Sequence, residues 1–541
     1  MSNITNSIKD FRMEINQDFI DKAEKLKPIL IEKLIKPKQI VNIKMGKNDW
    51  EVIDTKSIDE ISNISLGKGE SICIDFGNHQ VGYVNFKIKP IGSPPDAPTH
   101  LRIKLGETLC EIGEDSSTYK GSISSSWIQE ETMHIDILPD KINMKRRYAF
   151  RYLEIKVLDT SPKYKVIVED VSCNFVSSVD MSEINYLSNI DDDLIKIDKI
   201  ALKTMQDCMQ TVFEDGPKRD RRLWIGDLRL QAITNYETFK NNDLVKRCLY
   251  LFAGLTQNRG QVGACLFIEP KLLVDDTALF DYSLFFISCL HDYYEATKDM
   301  EILNELWKVA YIQAKLALER QAKLALERVG INGVVYDSDD WWCFLDWKEG
   351  LNKQAGAQGV LIYALKQAHK LAIILGDNEK KEELEYEIDR VVQGAKNHLW
   401  DEKQGFFVSG SEKQVSWISQ IWCVLADVFD KETNTKILDN LLDNPPDMDI
   451  VTPYAYHHLV ECLILNNRKE KALECIRGYW GEMVKDGADC FWELYNPNDK
   501  YVSPYGSRII NSYCHAWSCT PSYFIRKYFG RDSKEVTSKY K

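Results

Sequence analysis

The 541-residue sequence lacks the features of membrane, secreted and nucleic-acid-binding proteins. No apolar run approaches the roughly 18 residues that a transmembrane helix needs. Residues 1–19 carry charges every few positions and contain no apolar stretch followed by a small-residue cleavage site, which argues against a secretory signal. The net charge of -13 disfavours nucleic acids and anionic membranes, since both attract basic surfaces. The sequence therefore predicts a cytoplasmic protein with no nucleic-acid or membrane partner.

The sequence also lacks the common cofactor and metal motifs. No GxxxxGK[ST] phosphate loop, GxSxG elbow, HExxH motif or EF-hand loop occurs. The fourteen cysteines are scattered singly between Cys73 and Cys519 without a CxxC pair, so we expect reduced thiols. His457, His458 and Glu461 form the grouping nearest to a metal motif, but no spaced third ligand accompanies them. We predict no cofactor and no metal.

The length and the residue pattern predict two structural domains, because 541 residues exceed what one hydrophobic core usually supports. Residues 38–180 contain short β-rich runs separated by glycine, proline, serine and aspartate, which is typical of an antiparallel β-sandwich. Residues 185–530 show apolar residues at helical spacing. The predicted class is a multidomain α and β protein, an antiparallel β-sandwich followed by an (α/α)6 barrel catalytic domain. A partly helical extension (1–37) and a polar tail (531–541) complete the chain.

Twelve helices are predicted in the second domain, and they pair into six hairpins. They are expected near residues 193–212, 226–240, 242–256, 277–296, 299–328, 354–375, 377–399, 414–428, 432–443, 452–466, 467–484 and 512–529. Successive helices alternate in direction, so the loops after the odd-numbered helices open at one end. These loops are residues 213–225, 257–276, 329–353, 400–413, 444–451 and 485–511. Long loops on a rigid scaffold often carry function, so we expect the site at this end.

Charged and aromatic residues cluster in the first of these loops, EDGPKRDRRLWIGDLRLQ. It contains Asp215, Asp220 and Asp227 together with Arg219 and Trp224. Paired carboxylates suit general acid and base catalysis. A structural interpretation is equally open, because Asp227 could cap the second helix and Asp220 could pair with a neighbouring arginine on the surface.

The sixth loop contains a second candidate carboxylate, in the stretch GADCFWELYNP. Glu493 directly follows Trp492, and aromatic neighbours desolvate a carboxylate and suit it to acid or base work. The alternative is a solvated Glu493 on an amphipathic edge. Because the first and sixth loops share one end of the barrel, we favour a site with paired carboxylates.

The third loop, DSDDWWCFLDWKEG, surrounds Asp346 with the aromatic residues Trp341, Trp342, Phe344 and Trp347. Aromatic faces stack on the apolar faces of sugar rings, and carboxylates accept hydrogen bonds from hydroxyls. Isolated tryptophans more often belong to a core. His515, in SYCHAWS before the last helix, is expected near the same rim, although a lone histidine is more often structural.

The motif DGPKRDRRLWIGD resembles the signature of the α-L-rhamnosidases of glycoside hydrolase family 78, which is close to DCPQRDERLGWTGD. The later FWE, the FLDW of the third loop and the histidine before the last helix follow in the order that this family uses. The likeness covers most of residues 185–530. It implies a six-hairpin barrel and an inverting mechanism, in which an acid protonates the glycosidic oxygen and Glu493 activates water.

The chain departs from that signature at the general acid. Arg221 occupies the position of the usual glutamic acid, and one residue fewer precedes Gly226. We therefore assign the nearest remaining carboxyl group, Asp220, as the acid. The resemblance implies that the rhamnose subsite is lined by Asp215, Arg219, Trp224, Asp227, Asp346, Trp347 and His515. Trp342 and Trp492, from the same aromatic loops, are predicted as further substrate contacts.

The sequence thus predicts an inverting exo-glycosidase that releases terminal α-L-rhamnose from a small-molecule or oligosaccharide rhamnoside. One alternative is an inverting hydrolase of another deoxysugar or of an unsaturated uronide, for which Arg219, Arg221 and Arg222 could form a cationic clamp. Another is a sugar-binding protein that has lost catalysis. The choice between a monomer and a homodimer stays open.

Overall fold

The computed structural model describes residues 11–319, 328–338 and 342–530. Some predicted features lie outside these ranges: Trp341, the first ten residues of the extension, the C-terminal tail, and residues 320–327 of the fifth predicted barrel helix. Ten antiparallel strands form one sheet: β2 (Ile31–Ile35), β3 (Gln39–Met45), β4 (Trp50–Ser57), β5 (Ser65–Leu66), β6 (Ser71–Gly92), β7 (Thr99–Gly106), β8 (Glu130–Ile135), β9 (Asp140–Asn143), β10 (Tyr148–Asp159) and β11 (Tyr164–Ser177). The short strand β1 (Glu14–Ile15) precedes them.

The sheet folds over its own core because β6, its longest strand, changes partners along its length. The first half of β6 pairs with β10 and β3, and the second half pairs with β11 and β9. Gly82 lies at the change, opposite both Tyr148 and Phe175. A Cβ atom at Gly82 would collide with the carbonyl oxygen of Asn174, so only glycine fits there. The enclosed core is rich in isoleucine, valine and phenylalanine, which confirms the predicted antiparallel domain.

The rest of the chain is mainly helical. The helices are α1 (Gln17–Lys25), α2 (Leu109–Gly113), α3 (Asp192–Cys208), α4 (Ile225–Glu237), α5 (Asn242–Gly254), α6 (Phe280–Thr297), α7 (Met300–Leu318), α8 (Gln354–Leu375), α9 (Asn378–Gly394), α10 (Trp417–Leu425), α11 (Lys431–Asp443), α12 (Pro453–Leu465), α13 (Lys469–Ile476), α14 (Glu482–Lys485) and α15 (Pro521–Phe524). Six short strands lie between them: β12 (Leu223–Trp224), β13 (Leu255–Thr256), β14 (Cys265–Phe267), β15 (Leu273–Val274), β16 (Trp400–Asp401) and β17 (Phe406–Phe407).

The helices form a closed ring of six hairpins, as predicted. The inner ring consists of α4, α6, α8, α10 and α12 in order, and residues 516–529 close it by contacting both α12 and α4. Each inner member is preceded in the chain by an outer helix, and these outer helices are α3, α5, α7, α9, α11 and α13. The inner helices are buried on most faces, which explains their nearly continuous apolar sequences. No helix within the described ranges is long and apolar enough to span a membrane.

The N-terminal extension divides between the two structural parts. The helix α1 packs on α5 of the barrel, and β1 pairs with β13. The strand β2, which also falls within predicted residues 1–37, pairs with β11 of the sheet. The domain limits drawn from the sequence stay predictions.

The last predicted helix, 512–529, begins later than expected. Residues 512–515 are not helical, because their backbone groups bond to other segments: Ser512 accepts from Glu493, and His515 donates to Phe491. A short 3-10 turn, Ala516–Ser518, precedes α15. Pro521 is the first residue of α15. A backbone N–H group at that position has no acceptor within the helix, so its absence in proline costs no hydrogen bond.

A buried network of charges joins the sheet to the barrel. His79 on β6 contacts the carboxylates of Asp207 on α3 (2.7 Å) and of Glu107 (3.0 Å). Both ring nitrogens face carboxylate oxygens and both must donate, so the imidazole is protonated. Lys218, from the first barrel loop, contacts Glu107 (3.1 Å) and Glu111 (2.7 Å) and is 1% exposed. The sheet therefore supplies the counter-charges for a loop of the barrel.

Replacing Lys218 by methionine tests this junction. The substitution leaves Glu111 without its cation beside Glu107, which retains only His79, and breaking a buried ion pair typically costs about 3 to 5 kcal/mol. We expect the free energy of unfolding in urea to fall by that amount. Lys163→Met, which removes an exposed pair with Asp96, should leave it nearly unchanged. Equal effects of the two substitutions would contradict the assigned role of the junction.

Candidate active site

The loops that follow the outer helices meet at one end of the barrel, as the hairpin arrangement predicts. Contacts between pairs of loops connect them there, and the rings of Trp347 in the third loop and Tyr505 in the sixth loop meet at a centroid distance of 5.9 Å. The joining contacts are Arg222 to Asp275 (first and second loops, 3.9 Å), Asn352 to Gln414 (third and fourth, 2.8 Å), Asp346 to Val451 (third and fifth, 2.8 Å) and Arg219 to Glu493 (first and sixth). This end of the barrel carries most of the predicted site residues.

Glu493 lies at the centre of the site and is 4% exposed. One carboxylate oxygen accepts a hydrogen bond from Arg219, and the other accepts one from the hydroxyl of Tyr505 (2.9 Å). Its backbone N–H group donates to the Ser512 carbonyl (3.0 Å), and the indole of Trp517 donates to its carbonyl (3.0 Å). The Glu493 carboxyl group is thus fixed at both the side chain and the backbone.

Asp220 lies beside the same guanidinium group. Its side chain is 24% exposed, and its Oδ1 atom is 3.9 Å from Nη1 of Arg219. Asp220 and Arg221 both have left-handed backbone conformations, with φ of 64° and 54°. The two successive left-handed residues turn the chain sharply, which separates the Asp220 and Arg221 side chains. One arginine therefore contacts both candidate carboxyl groups.

Arg221 occupies the position at which the family signature has glutamic acid, but its side chain binds a group away from the candidate catalytic residues. Its guanidinium group donates to the carbonyl of Arg147 in the sheet domain (2.8 Å). Burial and the neighbouring Arg147 lower the pKa of Arg221 to about 10. The substitution thus exchanges an acid for a residue that binds the sheet domain.

Two further carboxyl groups, Asp215 and Asp227, are buried behind the first pair. Asp215 accepts a hydrogen bond from the backbone of Arg222 (3.0 Å), whereas Oδ1 of Asp227 has no hydrogen-bond partner among the described residues. Burial raises the pKa of both carboxyl groups well above the usual value. The nearby Asp220 raises the pKa of Asp215 further, and Glu493 raises that of Asp227. We therefore expect protonated carboxyl groups that can donate to a ligand. Asp227 lies in the first turn of α4 and is not its N-cap.

His515 lies between Glu493 and Asp227. Its Nε2 atom is 3.7 Å from Glu493, and its Nδ1 atom is 3.6 Å from Asp227. These distances exceed those of hydrogen bonds, and Nδ1 has no partner among the described residues. Burial and the charge of Arg219 lower the pKa of His515 to about 3, so the imidazole is neutral at ordinary pH.

Aromatic rings form one wall of the site. Trp347 meets the rings of Tyr505 and Trp517 edge to face, at centroid distances of 5.9 and 5.3 Å. The guanidinium of Arg219 lies over the Tyr505 ring, 4.3 Å from its centroid. On the first loop, Trp224 has a buried Nε1 atom without a hydrogen-bond partner. Tyr505 and Trp517 were not predicted from the sequence, although Tyr505 falls in the sixth loop and Trp517 two residues after His515.

Two predicted tryptophans lie away from this wall. Trp492 is 3% exposed and packs against the rings of Tyr495 and Tyr513. Trp342 is 38% exposed, and its carbonyl accepts a hydrogen bond from the backbone of Phe280. The described contacts of these two side chains give no support to substrate binding.

The carboxylate of Asp346 is hydrogen-bonded to other residues of the protein. One carboxylate oxygen accepts from the backbone N–H of Val451 (2.8 Å), and the other accepts from the hydroxyl and the backbone N–H of Thr452 (2.7 and 3.1 Å). Thr452 is the N-cap of α12. Asp346 therefore anchors the start of α12, and its predicted contact with sugar hydroxyls competes with these bonds.

One group of possible metal ligands exists among the described residues. Atoms of His79, Asp207, Cys490 and Cys514 lie within 4.8 Å of one another, and all four residues are buried. The ring nitrogens of His79 already bond to Asp207 and Glu107. This group is consistent with the charge network of the domain junction, and the absence of a metal stays a prediction.

Comparison with protein families identifies both parts of the chain. Residues 182–529 match the bacterial α-L-rhamnosidase six-hairpin glycosidase domain, and residues 37–175 match the N-terminal domain of glycosyl hydrolase family 78 α-rhamnosidases. The chain belongs to glycoside hydrolase family 78. This family 78 protein is therefore a glycoside hydrolase of the α-L-rhamnosidase type.

Solved structures agree with this assignment. The family 78 chain is 45% identical to a rhamnosidase from Klebsiella oxytoca with rhamnose bound, with a TM-score of 0.92 over 95% of this chain and 99% of that chain. A family 78 rhamnosidase of Bacillus sp. GL1 shares the fold at 20% identity, with a TM-score of 0.71 over 88% of this chain and 49% of that chain. A search of curated protein sequences finds no match.

The neutral state of His515 predicts a pH-dependent stability. Unfolded His515 binds a proton below about pH 6.5, whereas the folded residue does so only near pH 3. The unfolded state thus gains protons first as the pH falls, and His515 should cost the fold about 2 kcal/mol between pH 7 and pH 5. We expect this loss in urea unfolding of the wild type and its absence in His515→Gln. His398→Gln, at an exposed position, should keep the wild-type dependence. Parallel curves for all three proteins would disprove the buried neutral state.

Proposed function

We propose that this family 78 glycosidase hydrolyses terminal, non-reducing α-L-rhamnosides in one displacement with inversion. The observation that carries the proposal is the contact of Arg219 with both Glu493 and Asp220. An inverting glycosidase needs two carboxyl groups on opposite sides of the scissile bond, about 6.5 to 9.5 Å apart. Two carboxyl groups that share one guanidinium are suited to such a separation. The bound rhamnose of the Klebsiella oxytoca relative supports the choice of sugar.

The two carboxyl groups differ in the way their proposed roles require. Arg219 and Tyr505 hold the Glu493 carboxyl group in a fixed, buried position, which suits a base that accepts a proton from a positioned water. Asp220 is more exposed, at the solvent side of Arg219, where a leaving group can depart. We assign the acid to Asp220 and the base to Glu493.

The remaining polar groups are suited to holding the sugar in this arrangement. Protonated Asp215 and Asp227 can donate to ring hydroxyls, and the unpaired Oδ1 of Asp227 and Nδ1 of His515 leave hydrogen-bonding capacity for a ligand. The burial of Glu493 between the first and sixth loops favours a pocket for a terminal residue and therefore exo action. Unpaired buried polar groups are costly, so a bound sugar would relieve that cost.

The arginines argue against a uronide substrate. Arg219 is paired with Glu493, and Arg221 donates to the Arg147 carbonyl. Arg222 lies over the ring of Phe267, 4.1 Å from its centroid. Arg219 and Arg222 thus already face carboxylates of the protein, Glu493 and Asp275, which disfavours a further carboxylate from the substrate. A catalytically lapsed sugar-binding protein is the other alternative, and turnover of any rhamnoside excludes it.

We also infer a cytoplasmic location and a small rhamnoside partner. All fourteen cysteines lie in the described part of the chain, and all are free thiols, most of them buried. Free thiols in this number are typical of a reducing compartment. The net charge of -13 makes nucleic acid an unsuitable partner.

The stereochemistry of the first product tests the mechanism. In a single displacement, water attacks the face opposite the leaving group, so an α-rhamnoside should first release β-rhamnose. Proton NMR of the earliest product distinguishes the two anomers before they interconvert. Initial accumulation of α-rhamnose would rule out inversion with Glu493 as the base.

Asp220 is tested by varying the leaving group. A general acid matters most when the departing oxygen needs a proton, as an alkoxide does and nitrophenolate does not. Asp220→Asn should slow hydrolysis of a rhamnosyl disaccharide by about 10²- to 10⁴-fold and that of nitrophenyl rhamnoside much less. Glu493→Gln should slow both alike, because water must be activated in either case.

The control is Asp447→Asn, at an exposed position of the fifth loop, which should retain both activities. If Asp220→Asn slows both substrates equally, Asp220 is not the proton donor. Asp215 or Asp227 would then be the remaining candidates in the first loop.

A further inference from the structure

One segment of the sheet domain reaches the rim of the barrel site. Residues 115–128, called the rim segment here, connect α2 to β8. The backbone N–H of Ser122 donates to the carbonyl oxygen of Tyr505 (2.9 Å). Gly121 approaches Gly506 so closely that a Cβ atom on Gly506 would lie 3.9 Å from the Gly121 Cα atom. The rim segment therefore borders the residue whose hydroxyl binds Glu493.

The sheet domain also fixes the barrel loop that carries Tyr505. Arg508 forms an ion pair with Glu114, which directly precedes the rim segment. Asp49, between β3 and β4, contacts Lys500 (2.8 Å) and accepts a hydrogen bond from Tyr501. These contacts lie on both sides of Tyr505 along the chain. The rim segment and the sixth barrel loop therefore form one connected surface beside the catalytic carboxyl groups.

Tyr119 is the residue of the rim segment that can contact a ligand. Its hydroxyl donates to the carbonyl of Ile123 (2.9 Å), which fixes the ring while leaving it partly exposed. The ring covers Gly121, where any Cβ atom would collide with the tyrosine oxygen. Burial raises the pKa of Tyr119, and the hydrogen bond to Ile123 and the positive charge of Arg219 oppose that rise.

The composition of the rim segment indicates what this surface contacts. Residues 116–128 contain no Asp, Glu, Asn, Gln, Arg or His. A second sugar would be expected to meet such side chains, because they supply paired donors and acceptors for hydroxyls. Apart from Asp115 and Lys120, the segment offers serine and threonine hydroxyls and the partly exposed rings of Tyr119 and Trp127, and Ser122 joins it to Tyr505. A fixed, partly exposed ring in this setting favours a flat apolar partner.

We propose that Tyr119 forms the leaving-group subsite and stacks on the aromatic ring of a phenolic aglycone. The inference rests on the proposed function, because the departing group must lie beside Asp220. Asp220 contacts Arg219, whose guanidinium group lies over the ring of Tyr505, and the rim segment that carries Tyr119 is hydrogen-bonded to the Tyr505 carbonyl. The sheet domain then contributes directly to substrate selection. Rhamnose itself is held by the barrel residues and does not contact Tyr119.

Tyr119→Ala tests the proposal, with Tyr119→Phe as its matched variant. Loss of one stacked ring should raise KM for a naphthyl or flavonoid rhamnoside by about 3- to 10-fold. Tyr119→Phe keeps the ring and should remain near the wild type. The inhibition constant of free L-rhamnose and the KM for methyl α-L-rhamnoside should not change in either variant. Tyr83→Ala, which removes an exposed tyrosine on β6, should behave as the wild type throughout.

Other outcomes overturn the proposal in distinct ways. An equal rise in the rhamnose inhibition constant would place Tyr119 at the sugar or in the scaffold. A larger effect on a rhamnosyl disaccharide than on the aryl substrates would indicate a sugar-binding subsite. An unchanged KM for every substrate would remove Tyr119 from the subsite while leaving the proposed function intact. A wild-type protein that cleaves no rhamnoside would instead refute the proposed function, and this subsite with it.

Discussion

The buried ion pair between Arg219 and Glu493 is the interaction on which the rest of the site depends. Both side chains are about 6% exposed, so each charge would be costly without the other. The pair joins the first and last loops of the barrel, which are far apart in the sequence. It fixes the carboxyl group of Glu493, and the same guanidinium group also contacts Asp220. A ring of six hairpins is the scaffold that allows these two loops to meet.

Lys218, the residue before Arg219, connects this part of the barrel to the sheet domain. Lys218 is bonded to Glu107 and Glu111, so two carboxylates of the sheet fix the first barrel loop beside the catalytic centre. Glu107 also accepts a hydrogen bond from the backbone of Tyr513, two residues before His515. The sheet domain is therefore part of the machinery that positions the site. Its removal would leave buried charges of the barrel without partners.

The difference between this chain and the family signature has a structural explanation. Arg221, at the position of the usual glutamic acid, extends to the carbonyl of Arg147 and fastens the loop to the sheet. The left-handed conformations of Asp220 and Arg221 separate the two side chains, so the carboxyl group that stays near Arg219 is that of Asp220.

The sequence by itself determined the antiparallel sheet domain and the six-hairpin barrel that follows it, because hydrophobic periodicity and loop length are local properties. It also singled out Glu493 and Asp220 as candidate catalytic residues. Only the tertiary structure showed that Trp492 is a core residue, that Asp346 binds the N-cap residue of α12 and that Tyr505 binds Glu493. Which way a side chain points, and which distant backbone group it meets, depend on packing between segments far apart in the chain. No local pattern encodes those contacts.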